Sequence, residues 1–116
     1  MPLLEQFVYG RSKNTPQEIG EFYFDYLPVD LLIATRPYLT TERLIGRRRR
    51  GSEQNPNVIV FSGLNFVIDG HHKVRRSIDI GEKEILCKIL STDNKRIGEK
   101  LLRSQHGYIH SLPISS

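Results

Sequence analysis

Residues 66–81 read FVIDGHHKVRRSIDIG, and this stretch decides the predicted fold. Its first three residues are apolar and typical of a β-strand. The residues after Gly70 favour a helix, because Val74 and Ile78 lie four apart and so share one side of it. Gly81 stands where helices commonly end. The stretch therefore predicts a strand that turns at Gly70 into a helix.

Strands and helices alternate on both sides of this stretch. Further predicted strands cover 22–27, 58–61 and 84–90, and further predicted helices begin at Thr40 or Thr41 and cover much of 94–107. The short spacing between 58–61 and 66–68 predicts a β-hairpin. Interleaved strands and helices on this scale predict an α+β (mixed α/β) fold, a small mixed sheet with helices packed against it.

Length and composition indicate one globular unit. The chain has 116 residues, of which 38% are hydrophobic and 26% charged, as in ordinary soluble domains. We predict an N-terminal arm over residues 1–20 and a single domain over residues 21–116. The first part of the chain is polar and lacks the apolar region of a signal peptide, and no apolar stretch approaches the length of a membrane span. A cytoplasmic protein with no membrane partner is expected, in an oligomeric state that the sequence does not predict.

Charge and cysteine content narrow the chemistry. There are 17 Lys and Arg against 13 Asp and Glu, a net charge of +4 that permits an anionic partner without requiring one. Cys87 is the only cysteine, which excludes an intrachain disulfide and a cysteine-based zinc cluster. Adjacent histidines on a helix point about 100° apart and seldom bind one ion, so we expect no metal site in the protein itself.

The predicted helix start suits an anion. The first N–H groups of a helix have no intrahelical acceptor, its dipole places positive charge there, and glycine lets a ligand approach the backbone closely. Five potentially cationic side chains fall within six residues: His71, His72, Lys73, Arg75 and Arg76. We predict a phosphate-binding site composed of Gly70, His71, His72, Lys73 and Arg76. The alternative is that Asp69 simply caps the helix and that the two histidines lie on the surface.

The segments VIDGHHKVRRSIDIG (67–81) and YLPVDLLIATRPYL (26–39) resemble the core motif of the ParB/sulfiredoxin superfamily, whose members carry G-E-R-R or G-C-H-R at this turn. The resemblance covers roughly residues 22–90. It implies a ParB/sulfiredoxin-like fold in which the turn and the helix start bind nucleotide phosphates. The implied ligand is a nucleoside triphosphate or diphosphate, ATP/ADP or CTP, with or without magnesium. Sulfiredoxins place their nucleophilic cysteine where this chain has His71, so reduction of sulfinic acids is not expected.

The resemblance leaves the activity open between plain nucleotide binding and an enzyme, either an NTPase or a small-molecule phosphotransferase. Phosphoryl transfer requires a carboxylate base near the phosphate. Glu42 and Asp69 are the candidates for that base, and His72 is a further candidate catalytic side chain.

A second basic feature supports a different function. Arg47, Arg48, Arg49 and Arg50 form the densest run of charge in the chain. Such a run is either a solvated loop or a contact to a phosphate backbone. The alternative prediction is therefore a DNA- or RNA-binding or nuclease-type accessory module that uses residues 47–50.

Overall fold

The computed structural model of the chain describes residues 21–45 and 55–115. The strands are β1 (Phe22–Pro28), β2 (Leu32–Ala34), β3 (Leu39–Thr40), β4 (Asn57–Phe61), β5 (Leu64–Asp69), β6 (Glu84–Ser91) and β7 (Ile114–Ser115). The helices are α1 (Thr41–Ile45), α2 (His71–Asp79) and α3 (Lys95–Ser104), with 3-10 turns at Val29–Leu31 and Ile109–Ser111. The predicted strands and helices occur in the predicted order, and β2, β3 and β7 are additional strands.

The larger sheet has the strand order β1-β6-β4-β5-β2. Strands β1 and β6 are antiparallel, as are β4 and β5, whereas β6 and β4 are parallel, as are β5 and β2. Strands β3 and β7 form a separate two-stranded parallel sheet. The predicted α+β fold with a small mixed sheet is thus confirmed.

The hairpin of β4 and β5 brings the decisive stretch into the middle of the sheet. Its turn consists of Ser62 and Gly63, whose φ angles are 53° and 78°. Two successive residues with positive φ match the right-handed twist of paired strands and make a tight two-residue turn. Strand β5 therefore runs back beside β4 and delivers Gly70 to the edge where α2 begins.

Helices cover both faces of the larger sheet, because successive residues of a strand point to opposite faces. Val67 packs in the cluster that contains Val74 of α2 and Cys87 of β6. Its neighbour Phe66 packs in the second cluster, with Leu101 of α3. All five side chains are fully buried, so the core consists of two apolar layers separated by the sheet.

Strand β1 lies at one end of the sheet order, where its outer backbone groups have no neighbouring strand among the described residues. The Tyr26 N–H donates to Oδ1 of Asp25 at 2.7 Å. A carboxylate that occupies a backbone donor in this way opposes pairing with another strand, as do charged residues at sheet edges generally.

The predicted arm over residues 1–20 lies outside the described residues, and the division into an arm and one domain stays a prediction. Within the described ranges, none of the helices is long and apolar enough to pass through a lipid bilayer.

Candidate anion-binding site

The predicted strand–turn–helix is present and depends on Gly70. Gly70 has φ 96° and ψ 21°, in the left-handed region that favours glycine. A Cβ atom at this position would lie 2.9 Å from Cα of Pro56, closer than such atoms approach. The turn therefore requires glycine for two reasons, the backbone angle and the contact with the neighbouring segment.

Helix α2 begins without the groups that normally stabilise a helix start. Gly70 is the N-cap residue and offers no side-chain cap, and the first turn contains no acidic residue. The first intrahelical bond runs from the Val74 N–H to the Gly70 carbonyl oxygen at 3.0 Å. The alternative role of Asp69 as N-cap is therefore wrong, and the positive end of the helix dipole has no carboxylate from its own first turn.

The alternative that placed His71 and His72 on the surface is wrong, whereas their predicted part in phosphate binding stays a prediction. Their side chains are only 4% and 6% exposed. Nε2 of His71 accepts from the Thr35 N–H at 3.1 Å, and Nε2 of His72 accepts from the Thr40 N–H at 3.0 Å. A ring nitrogen that accepts an N–H bond carries no proton, so neither Nε2 can donate to a phosphate or act as an acid.

Arg75 also has a structural role in place of a cation for the ligand. Its Nη1 donates to the carbonyl oxygens of Ile109 and Leu112 at 3.3 and 3.0 Å, and its Nε is 3.4 Å from Oδ1 of Asp79. These bonds fasten the C-terminal segment to α2. Lys73 and Arg76, the other basic residues of the predicted cluster, are both partly buried on α2.

Lys73 influences the neighbouring strand as well. Burial raises the pKa of the Cys87 thiol from its ordinary value of 9.0 to about 12, and the positive charge of Lys73 partly opposes that rise. The Lys73 ammonium is thus close enough to act electrostatically on β6. Cys87 itself is buried in the core, and its raised pKa keeps it in the neutral form.

Arg36 is a residue that the sequence analysis missed. It follows Thr35, the residue whose amide binds His71, so the backbone at Arg36 is held close to the start of α2. Its Nε atom is buried and has no hydrogen-bond partner among the described residues. A buried arginine N–H without an acceptor destabilises the folded protein, and binding of a ligand that supplies an acceptor would remove that cost. The sequence signal for Arg36 is its position in a loop that follows the short buried strand β2, and this position could have identified it as a candidate anion-binding residue.

The two carboxylates proposed as bases lie near the same end of α2. Asp69 immediately precedes Gly70 and is exposed. Glu42 is exposed in the first turn of α1, two residues after Thr40, whose amide binds His72. Both side chains are therefore accessible to solvent. His72 is buried and its Nε2 accepts from the Thr40 N–H, and its candidate catalytic role stays a prediction.

Arg47, Arg48, Arg49 and Arg50, predicted to contact nucleic acid, fall outside the described residues. The predicted nucleic-acid-binding module stays a prediction.

Comparison with known proteins indicates only the fold. No protein-family profile matches the sequence, and no curated protein is significantly similar to it. The structure is similar to the crystal structure of protein Atu1540 from Agrobacterium tumefaciens, with a TM-score of 0.60 and 16% sequence identity. The match covers 79% of this chain and 62% of that chain, so this chain spans less than two thirds of its neighbour. At this identity the likeness supports a shared fold, and the resemblance to the ParB/sulfiredoxin superfamily stays a prediction.

Proposed function

We propose that this domain binds the phosphate groups of a nucleotide at the start of α2. The observation that carries the proposal is the buried Nε of Arg36, which has no hydrogen-bond partner among the described residues. A phosphate oxygen is the acceptor that arginine binds best, because the bond is charge-assisted and the guanidinium geometry matches it.

The start of α2 supplies complementary features. The helix dipole favours negative charge there, and no carboxylate in the first turn competes for it. Gly70 has no side chain to block a close approach. Lys73 lies in the first turn and Arg76 one turn later, so two further positive charges are carried by the same helix.

The expected affinity is moderate. A hydrogen bond to a charged group contributes about 1.5–3 kcal/mol, and a helix terminus contributes about 0.3–1 kcal/mol when exposed. A few such contacts, reduced by the cost of association, correspond to dissociation constants from about millimolar to micromolar. Nucleotide concentrations in the millimolar range are therefore the right ones for a test.

The proposal extends to the ligand and the reaction. ATP, ADP and CTP are the proposed ligands, with or without magnesium, in a domain of the ParB/sulfiredoxin type located in the cytoplasm. If bound triphosphate is hydrolysed or transferred to a small molecule, Asp69 or Glu42 is the proposed base, because both carboxylates are exposed near the helix start.

Thermal unfolding and calorimetric titration with ATP, ADP, CTP and inorganic phosphate would test the proposal, each with and without magnesium. Ligand at a hundredfold excess over its dissociation constant stabilises a protein by about 2.7 kcal/mol. We expect a higher unfolding temperature with at least one nucleotide and a weaker effect in Lys73→Ala and Arg76→Ala.

The matched controls are Lys95→Ala and Arg96→Ala, which remove exposed positive charges from the first turn of α3. They change the net charge equally and should leave the nucleotide effect intact. The absence of any shift with every nucleotide would overturn the proposal, and so would an equal loss in the α3 variants.

A further inference from the structure

We infer that His71 and His72 are positioning residues that hold residues 35–40, here named the latch segment, against the start of α2 in neutral, hydrogen-bond-accepting form. Because the latch segment carries Arg36, this inference deepens the proposed function. It rests on the proposed function only where it predicts a change in the affinity for nucleotide or phosphate.

The two contacts lie at the two ends of the latch segment. The amide of Thr35, its first residue, donates to Nε2 of His71, and the amide of Thr40, its last residue, donates to Nε2 of His72. The Thr40 hydroxyl oxygen is also 3.4 Å from the same nitrogen of His72. Adjacent residues of one helix therefore bind both ends of a six-residue segment, which explains why the sequence contains two histidines in succession.

Besides the two imidazole contacts, the latch segment is held by the β3–β7 pairing of Leu39 and Thr40 and by the buried side chain of Leu39. Within the latch segment, the Leu39 N–H donates to the Pro113 carbonyl oxygen at 2.9 Å, and the Thr35 hydroxyl donates to the Val67 carbonyl oxygen at 2.7 Å. Pro37 has no amide hydrogen to donate. Two of the backbone bonds that fix the latch segment thus depend on imidazole nitrogens, and the peptide that carries Arg36 is directly joined to one of them.

The acceptor role sets the charge of the rings. Each Nε2 must be unprotonated to accept, so any proton on a neutral ring is on Nδ1. A proton added at Nε2 would face an N–H group and break the bond. Acid is therefore expected to release the latch segment and to weaken anion binding, although a cationic imidazole near a phosphate would by itself strengthen it.

The charged surroundings support the neutral form. The short helix α1 and both 3-10 turns pack against α2. The described charged or titratable side chains on these elements, on the latch segment and on the start of α2 are Asp30, Glu42, His110, Arg36, Tyr38, Asp69, Lys73, Arg75 and Arg76. The acidic members are exposed, whereas the four Lys and Arg side chains are partly buried and disfavour further positive charge.

The first measurement is made on the wild-type chain and requires no ligand. Nitrogen-15 NMR of the two imidazoles at about pH 7.5 should show unprotonated Nε2 atoms, and amide exchange at Thr35 and Thr40 should be slow. Lowering the pH to about 5.5 should increase the opening of both amides relative to Leu39, whose acceptor is a carbonyl. Protonated Nε2 atoms at the higher pH would overturn the inference.

Variants then separate the acceptor from the bulk of the side chain. His71→Gln and His72→Gln keep an acceptor close to the position of Nε2 but cannot be protonated, whereas His71→Leu and His72→Leu remove it. Leucine should speed exchange at the paired threonine amide by about tenfold or more, and glutamine should restore much of the protection and abolish the acid effect. Equal amide exchange rates in the glutamine and leucine variants would contradict the inference that the two imidazoles hold the latch segment as acceptors.

Titration with ATP and inorganic phosphate tests whether the histidine contacts to the latch segment affect anion binding at the start of α2. The leucine variants should bind at least about fivefold more weakly than wild type, which corresponds to a coupling of about 1 kcal/mol, and the glutamine variants close to wild type. If the wild type binds neither ligand, the proposed function fails while the exchange data still decide the latch. If the leucine variants bind as the wild type does, the link between the latch and the anion site is wrong.

Discussion

Helices α2 and α3 lie on opposite faces of the same sheet and begin in opposite ways. Asn94 caps α3, since its side-chain oxygen accepts from the Ile97 N–H at 3.1 Å. Gly70 begins α2 in a left-handed conformation and provides no side-chain cap. Helix α3 buries Ile97, Gly98 and Leu101 against the sheet, whereas α2 buries two imidazoles together with its apolar side chains.

This difference between the two helix starts indicates that α3 contributes mainly to stability, whereas α2 carries the candidate functional site. Helix α3 follows the local rules for a stable helix, with an asparagine cap and an apolar face. Helix α2 departs from them at its start, with positive charge, no cap and buried polar rings. Departures of this kind concentrate at functional sites, because a packed scaffold compensates for their cost. The α3 side therefore serves as the scaffold, and the α2 side presents the candidate site.

The largest expected effect is on the scaffold side. Leu101→Ala removes a fully buried side chain and should lower the free energy of unfolding by about 2–5 kcal/mol, through lost burial and a residual cavity. Chemical denaturation would measure this, and nucleotide binding by the folded fraction should be unchanged. The control Leu102→Ala affects a neighbour that is 46% exposed and should stay within about 0.5 kcal/mol. A cost below about 1 kcal/mol for Leu101→Ala would contradict this division.

A smaller loss of stability is expected from Gly70→Ala, but with a loss of binding as well. The added Cβ meets Pro56 and the φ of 96° strains any other residue, so about 1–3 kcal/mol of stability should be lost. Gly81→Ala is the matched control, because Gly81 has φ 91° and no atom within 4 Å of the added Cβ. It should cost about 1–2 kcal/mol from backbone strain alone, with nucleotide binding retained. Equal effects of Gly70→Ala and Gly81→Ala on binding would show that the turn at Gly70 has no particular role in binding.

Loss of the cap on α3 should have a more modest effect. Asn94→Ala removes the acceptor for the Ile97 N–H and should cost about 1 kcal/mol. Asn94→Ser, which restores an acceptor, should recover most of that stability in the same denaturation experiment. A loss of the proposed nucleotide affinity in Asn94→Ala would contradict this contrast between the two helices, because it would connect the scaffold helix directly to the candidate site.

The smallest expected effect concerns Cys87, which is buried in the core layer that packs under α2. Because burial raises its pKa to about 12, the native thiol should not react with a disulfide reagent near pH 8 and should react once the chain unfolds. Below the ordinary value of 9.0, the thiol is neutral in both states and adds no pH dependence. Above it the unfolded chain ionises first, so this contribution to stability falls as the pH rises towards about 12. Rapid labelling of the native protein would contradict the burial.

Gly98 has a role in tertiary packing that helix propensity alone does not reveal. Its position inside a helix predicts a weak point, since glycine is a poor helix former. In the folded protein a Cβ atom at this position would overlap the ring of Phe61. The glycine therefore permits close contact between α3 and the hairpin. Propensity depends on the local backbone, whereas this contact joins residues 37 positions apart in sequence.

The predicted strands and helices, the tight hairpin and the turn at Gly70 could all be read from the chain alone. These features follow from local chemistry: apolar periodicity, the conformational freedom of glycine, and the preference of strands for apolar runs. The contacts of the polar side chains of α2, in contrast, depend on the three-dimensional packing. It brought Thr35 and Thr40 to the two histidines, Ile109 and Leu112 to Arg75, and left Arg36 Nε buried without a described partner. Each of these contacts joins segments about 30 or more residues apart, and hydrogen bonds at that separation leave no periodic signal in the chain.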